Sequence, residues 1–454
     1  MNVLLILICG GGLIALAWKS RISTPTRDAH FATRHQIEEL TKPRTDFQCL
    51  TLGFLGSSSW RRSRTRITSP PRDSVLIVGP TQSGKTSSLV IPAILGWDGP
   101  VIAASVKDDL VVATQLFRKR RGPLGVLDPS SSRNLFPVRF DPVALSNSWE
   151  SSRRIAMELT SSAADARRSA EAMFWGQLAG KFLAPLLLAA AVTDGDLGLV
   201  IEWVNHREES EPLNILEHRG HASAADAWAS SLSRDERQLS SVYATVEALL
   251  EPLQSTTDRR VPPIIPSEFL RMSGTLYLCA PAHDQQRFRS MFTAVTSEVL
   301  AEAFRLARSQ GGQLIKPLLV VLDEAAAIAP LEELDVIAAT CASHGITLVT
   351  CFQDLAQVRA RYGERAATVV NNHRTRVVLS GLADPSTSDL LSSLVGTTDQ
   401  RSGRGGGIRM KKDSGTSDRR LLIEPYEIRG MPQYCGVVVS GRLPPARLVL
   451  RPYK

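Results

Sequence analysis

A chain of 454 residues with 43% hydrophobic and 22% charged side chains has the composition of a folded protein, and is long enough for one large core or two moderate ones. Its six cysteines are scattered without a C-x-x-C pair and its eight histidines lack metal-ligand spacing, His218 and His221 coming nearest in a surface-type loop; this argues against a disulfide scaffold and for reduced thiols. The net charge of +8 is uneven: residues 19–72 carry +7 and residues 401–420 carry +5, leaving the remainder at −4, so the basic character sits in two segments and not across the core.

In chain order the first feature is MNVLLILICGGGLIALAW, residues 1–18, uncharged until Lys19 and Arg21. A cleaved signal peptide places its positive charges before the apolar run. Here they follow it, the arrangement of a single-pass anchor in the cytoplasmic (inner) membrane with the bulk of the chain in the cytoplasm. The run is close to the lower limit of a spanning helix, about 17 residues, and Gly10, Gly11 and Gly12 weaken it, so a signal peptide and a buried helix stay open as alternatives. Residues 19–72 are basic, dotted with Ser, Thr and Pro, and without periodicity. They read as a juxtamembrane linker whose end, Arg61-Arg62-Ser63-Arg64-Thr65-Arg66, offers charge to anionic lipid, to nucleic acid, or to solvent alone.

The run Ser74-Val75-Leu76-Ile77-Val78, β-branched and apolar, predicts a strand. It leads into Gly79-Pro80-Thr81-Gln82-Ser83-Gly84-Lys85-Thr86, a complete G-x-x-x-x-G-K-[ST], and Ser87 opens a helix in whose first turns Pro92 must fall. Glycines let backbone N–H groups wrap a polyphosphate, and the helix start adds a favourable partial charge. Residues 79–87 are therefore predicted to bind ATP, with Lys85 reaching the β- and γ-phosphates and Thr86 holding Mg²⁺.

Further strands are predicted at 100–106, 123–129, 274–281, 318–322, 345–352 and 376–382. Between them, residues 142–265 show only helical stretches, with Leu178, Phe182, Leu186 and Ala189 on one face. The strand at 318–322 ends in Asp323-Glu324, where open α/β sheets place their ligands. Asp323 would support Mg²⁺ through a water and Glu324 would polarise the attacking water; Gln353, just past the next strand, suits an amide that senses the γ-phosphate. The fold class is α/β: a RecA-like P-loop NTPase core from 73–141 and 266–454, interrupted by an all-helical insertion at 142–265. The segment QRSGRGGGIRMKKDSGTSDRR, residues 400–420, is glycine-rich, basic and free of aromatics; it suits sequence-independent contact with a phosphate backbone, or a plain connector.

This order of features, with SVKDDL, FWGQLA, VVLDEAAAIAPL, TCFQDLAQV and a closing LPPARL, resembles the type IV coupling proteins of the TraG/TraD type. These are hexameric ATPases that link DNA processing to a conjugative secretion channel. The resemblance covers nearly the whole chain from about residue 70. It implies a homo-hexamer with a basic central channel, DNA and a relaxase or relaxosome as partners, and docking to a type IV secretion channel. It also implies that Lys85, Thr86, Asp323, Glu324 and Gln353 act as described. Two departures stand out. Many relatives carry a pair of membrane helices, whereas this chain offers one short candidate. Many also have an arginine before the FQD strand that reaches a neighbour's ATP; here that stretch reads ATCASHGI, leaving Arg374 or Arg376 as the trans-acting finger or as strand-flanking charges. Two other readings remain: a double-stranded DNA translocase of the FtsK kind, and a substrate receptor with little ATP turnover.

Overall fold

The computed structural model describes residues 29–41, 48–130, 136–165, 170–399 and 419–453. The strands, in chain order, are β1 (Thr51–Gly56), β2 (Arg62–Thr68), β3 (Val75–Val78), β4 (Val101–Ser105), β5 (Leu124–Leu127), β6 (Thr275–Cys279), β7 (Leu318–Leu322), β8 (Ile346–Phe352), β9 (Thr375–Leu379), β10 (Thr397–Asp399), β11 (Arg419–Leu421), β12 (Cys435–Ser440) and β13 (Ala446–Val449). All but β10 and β11 form one sheet in the order β2-β1-β13-β12-β9-β3-β8-β7-β4-β6-β5. From β9 to β5 every pairing is parallel, and from β9 outward to β2 every pairing is antiparallel.

Burial on both faces explains why the parallel strands read as continuous apolar runs. Successive side chains point to opposite faces, so Val75 and Ile77 join one apolar layer with Val101, Ala103, Leu319 and Val321. Leu76 and Val78 join the other, with Ile102, Ala104, Val320 and Leu322. The first layer is covered by the helix after β3 (Ile91–Gly96) and by the N-terminal segment. The second is covered by the long helix Gln285–Ser309 and, through it, by the helices between β5 and β6.

Those helices run from Trp149–Asp165 to Glu236–Leu250. They close around Phe182, whose ring centroid lies 4.7 Å from both Trp228 and Tyr243. Gly180 permits the tight antiparallel packing of Ala170–Ala191 on Trp149–Asp165: a Cβ there would stand 2.7 Å from Met157 Sδ and 2.9 Å from Thr160 Oγ1. The apolar interior continues without a break into the sheet layer. A bidentate pair from Arg154 to Glu298, 2.8 Å at each oxygen, ties the two together. Ala170–Ala191 is the one described helix long and apolar enough to cross a membrane; from Phe182 to Ala190 it is buried inside the protein. The anchor expected at residues 1–18 lies outside the described residues, as does most of the basic segment expected at 400–420.

One expectation needs correction. Residues 51–56 and 62–68, assigned to a linker, form β1 and β2 and extend the sheet. In β2 the outward positions are arginines and the inward ones are Ser63 and Thr65. The strand is held mainly by its ladder to β1, with Ile67 its one side chain in the apolar core, so no hydrophobic alternation marks it.

Candidate nucleotide site

Strand β3 is buried throughout and delivers Gly79 to the C-terminal edge of the sheet, where its N–H donates to the Phe352 carbonyl at 3.1 Å. A side chain at Gly79 would stand 2.8 Å from Ser83 Oγ and 2.9 Å from Leu379 Cβ, so the turn closes only around glycine. The loop then reverses through two left-handed residues, Gln82 (φ 62°) and Gly84 (φ 95°). At Gly84 a Cβ would meet the Tyr434 ring at 2.7 Å. The helix opens with a wide π turn, Thr86–Val90, and continues as Ile91–Gly96; Pro92, which has no N–H to give to the preceding turn, stands just past the junction. Such wide turns are frequent at functional sites.

Lys85 is 6% exposed, and its ammonium donates to the loop's own carbonyls, Gly79 O and Pro80 O. Thr86 Oγ1 donates to Asp323 Oδ2 at 2.7 Å. Burial at the end of β7 pushes the Asp323 carboxyl up to about 6, partly offset by the Thr86 hydrogen bond and the Lys85 charge. The other carboxylate oxygen, Oδ1, is buried with no hydrogen-bond partner, and so are Ser83 Oγ and Ser88 Oγ. Native proteins rarely strand buried polar atoms. Three of them around a glycine-cradled lysine and a buried carboxylate suit a polyphosphate with a divalent cation. Glu324 follows in a left-handed conformation (φ 65°, ψ 54°), a strain that favours a functional origin for a non-glycine residue.

The loop, Asp323 and Glu324 line one cavity of about 570 Å³. Sequence reasoning assigned no role to Ser105 at the end of β4, to Lys107 and Asp109 after it, or to Gln433 and Tyr434 before β12, which line it as well. The first three had a usable signal, a charged Lys107-Asp108-Asp109 cluster at the carboxyl end of a buried strand. The last two had none, because an antiparallel turn brings them in from the far end of the chain. Tyr434 is itself left-handed, at φ 62°.

Other expected residues lie elsewhere. Gln353 sits one position beyond β8, beside Gly79 by the Val78–Phe352 register. Its N–H is held by Gln357 Oε1 at 3.0 Å, and it does not line the cavity. Arg374 and Arg376 flank the start of β9, at the opposite end of the parallel strands from the loop. Arg376 donates to the carbonyls of Val370 (2.9 Å) and Asn371 (3.0 Å), capping the helix Ala366–Asn372; Arg374 is exposed.

The sequence model of a family described as "Type IV secretory system Conjugative DNA transfer" matches residues 33–449. Protein VirD4 of Rhizobium rhizogenes is 23% identical over 395 residues, covering 82% of this chain and 57% of that protein. Conjugal transfer protein TraG of Escherichia coli is 22% identical over 371 residues, covering 71% of this chain and 55% of that protein. The chain thus spans little more than half the length of these relatives. Among solved structures, the bacterial conjugative coupling protein TrwBdeltaN70 shares the fold with a TM-score of 0.71 at 17% identity, over 94% of this chain and 93% of that one. Plasmid coupling protein TrwB in complex with ADP and Mg²⁺ gives 0.70 at 16% identity, over 94% and 95%.

Proposed function

Because the chain belongs to the type IV secretory system conjugative DNA transfer family, we propose that it is a coupling ATPase. In this reading it binds ATP and Mg²⁺ at the loop of residues 79–87 and hydrolyses ATP there. The energy serves to recruit DNA, carried by a relaxase, and move it into a type IV secretion channel. It works as a homo-hexamer held at the inner membrane by residues 1–18.

The observation that carries the reading is the Thr86–Asp323 pair. Residues 237 positions apart meet at 2.7 Å, with the second carboxylate oxygen buried and unpartnered, beside a complete phosphate-loop motif. That TrwB has been solved with ADP and Mg²⁺ supports it.

The chain's own groups divide the work. The N–H groups of the loop and the helix start meet the phosphates. Lys85 exchanges its two carbonyl partners for phosphate oxygens and sets positive charge where negative charge develops in the transition state. Thr86 and Asp323 would hold Mg²⁺, which supplies charge neutralisation between the phosphates when bound. Glu324, at the cavity wall, takes the role of general base and holds the proton of the attacking water. Arg374, the exposed one of the two arginines, is left to serve a neighbouring subunit.

The test is ATP hydrolysis by the full chain with and without single-stranded DNA, at low and moderate salt. Stimulation by DNA that fades as salt rises and disappears in Lys85→Ala supports the reading. Nucleotide binding without turnover under any condition overturns it in favour of a substrate receptor.

A further inference from the structure

The sheet's outer strand, β2, carries Arg62, Arg64 and Arg66 on exposed positions, with Ser63 and Thr65 half-buried between them. The three guanidinium groups stand together on this outer strand and form a ladder of charge along an open edge. A register irregularity between the Phe54–Arg66 and Gly56–Arg62 pairs bows the strand but leaves the alternation of exposure intact. Charge continues inward: Gly56, opposite Arg62, lies beside Arg447 of β13, whose Cβ is 3.3 Å from where a Gly56 side chain would begin. Arg61, exposed just before the strand, adds a further positive charge. Among the described residues, no ion pair engages Arg61, Arg62, Arg64 or Arg66.

The surroundings select the partner. The aromatic rings near the ladder already face arginines: Arg62 lies 4.9 Å from the Phe54 centroid, and Arg447 lies 3.8 Å from Phe31 and 5.7 Å from Trp60. No large apolar side chain is exposed on residues 51–68, so the hairpin lacks the apolar wedge by which interfacial segments enter lipid. What remains is a run of exposed positive charge along one edge, a surface that suits the phosphates of an extended strand.

We propose that the β1–β2 edge is a track for a single nucleic-acid strand, gripped by its phosphates and not read by its bases. The inference rests on the reading that this chain handles DNA, and adds to it a defined surface outside both the nucleotide site and the basic segment 400–420. Charged side chains also keep an open edge from pairing with another sheet, a role that charge of either sign fulfils; the experiment separates the two.

Binding of a fluorescent oligothymidylate to the full chain is followed by anisotropy across a salt series, for the wild type and for Arg62→Gln/Arg64→Gln/Arg66→Gln. Each phosphate contact on a single strand contributes about 0.7 to the slope of log K against log salt, so the triple variant is expected to lower the slope by about 2. The corresponding triple Glu variant keeps a charged edge, and is expected to weaken DNA binding further while staying monodisperse. A matching thermal transition shows that the variants fold, and DNA-free ATP turnover stays unchanged. An unaltered slope in the Gln triple overturns the proposal and leaves edge protection as the ladder's role. So does loss of binding to phosphatidylserine vesicles with DNA affinity intact, which assigns the ladder to a lipid surface. A wild-type chain that binds no DNA overturns the coupling reading itself.

Discussion

The two halves of the eleven-stranded sheet put their chemistry in different places. In the parallel half, crossovers bring every strand to end at the same edge. Loops there gather Lys85, Thr86, Asp323 and Glu324 around one cavity, while the strands themselves are apolar and buried. In the antiparallel half, hairpins leave an open edge, and the functional groups stand on the strand itself as the arginines of β2. A parallel sheet concentrates charge at a point; an antiparallel edge spreads it along a line. The first suits one polyphosphate and the second suits a polymer.

The largest effect expected from breaking this comparison is at Lys85. Lys85→Ala should lower ATP turnover by about 10²–10³-fold, the scale for removing one preorganised group from a transition state. Oligothymidylate binding at the β2 edge should persist, and turnover and anisotropy on the same sample check both halves at once.

Next is Arg118, fully buried and donating to Thr275 Oγ1 at 2.7 Å, to the Gly99 carbonyl at 2.7 Å and to the Trp97 carbonyl. It stitches the starts of β4 and β6 together on the parallel side. Arg118→Ala strands those acceptors and should destabilise the fold by about 3 kcal/mol, read from the urea midpoint.

His373 gives an effect that is absent at neutral pH and grows on acidification. Its ring bonds Thr350 Oγ1 (2.9 Å) and the Val369 carbonyl (2.7 Å), and burial lowers its pKa from 6.5 to about 4. Above pH 6.5 the imidazole is neutral in both states and imposes no pH dependence. Below it the unfolded chain takes up a proton first, so stability should fall by about 1.4 kcal/mol per unit until about pH 4. His373→Gln should flatten that limb of a denaturation series by the same amount.

The smallest effect is expected at Arg64. Arg64→Gln should leave stability within about 0.5 kcal/mol while reducing the salt slope of DNA binding by about 0.7. A large stability loss there would mean that the edge is structural and not a binding track.

How far the sequence could be read differs between the halves for the same physical reason. Val75–Val78 and Leu318–Leu322 had to be apolar, because helices cover both faces of a parallel sheet, and that requirement shows as uninterrupted runs; in Ile346–Phe352 only Thr347 and Thr350 break it. The glycines and the Lys85-Thr86 pair were legible because wrapping a polyphosphate needs those residues at that spacing. Strand β2 was not legible: its stability comes from backbone pairing with β1, which leaves no trace in side-chain polarity, and its arginines read as a linker.

The same division marks the site. Patterning alone marked Gly79–Thr86 and the carboxylates of Asp323 and Glu324 as candidates, and carried the family resemblance that the match over residues 33–449 bears out. Which distant residues share the cavity emerged from the folded arrangement alone. It brought in Tyr434 and Gln433, left Gln353 off the cavity wall, and put Arg376 to capping a helix. Contacts between residues hundreds of positions apart depend on strand order and register, and one-dimensional patterning encodes the faces of elements but not which neighbours they meet.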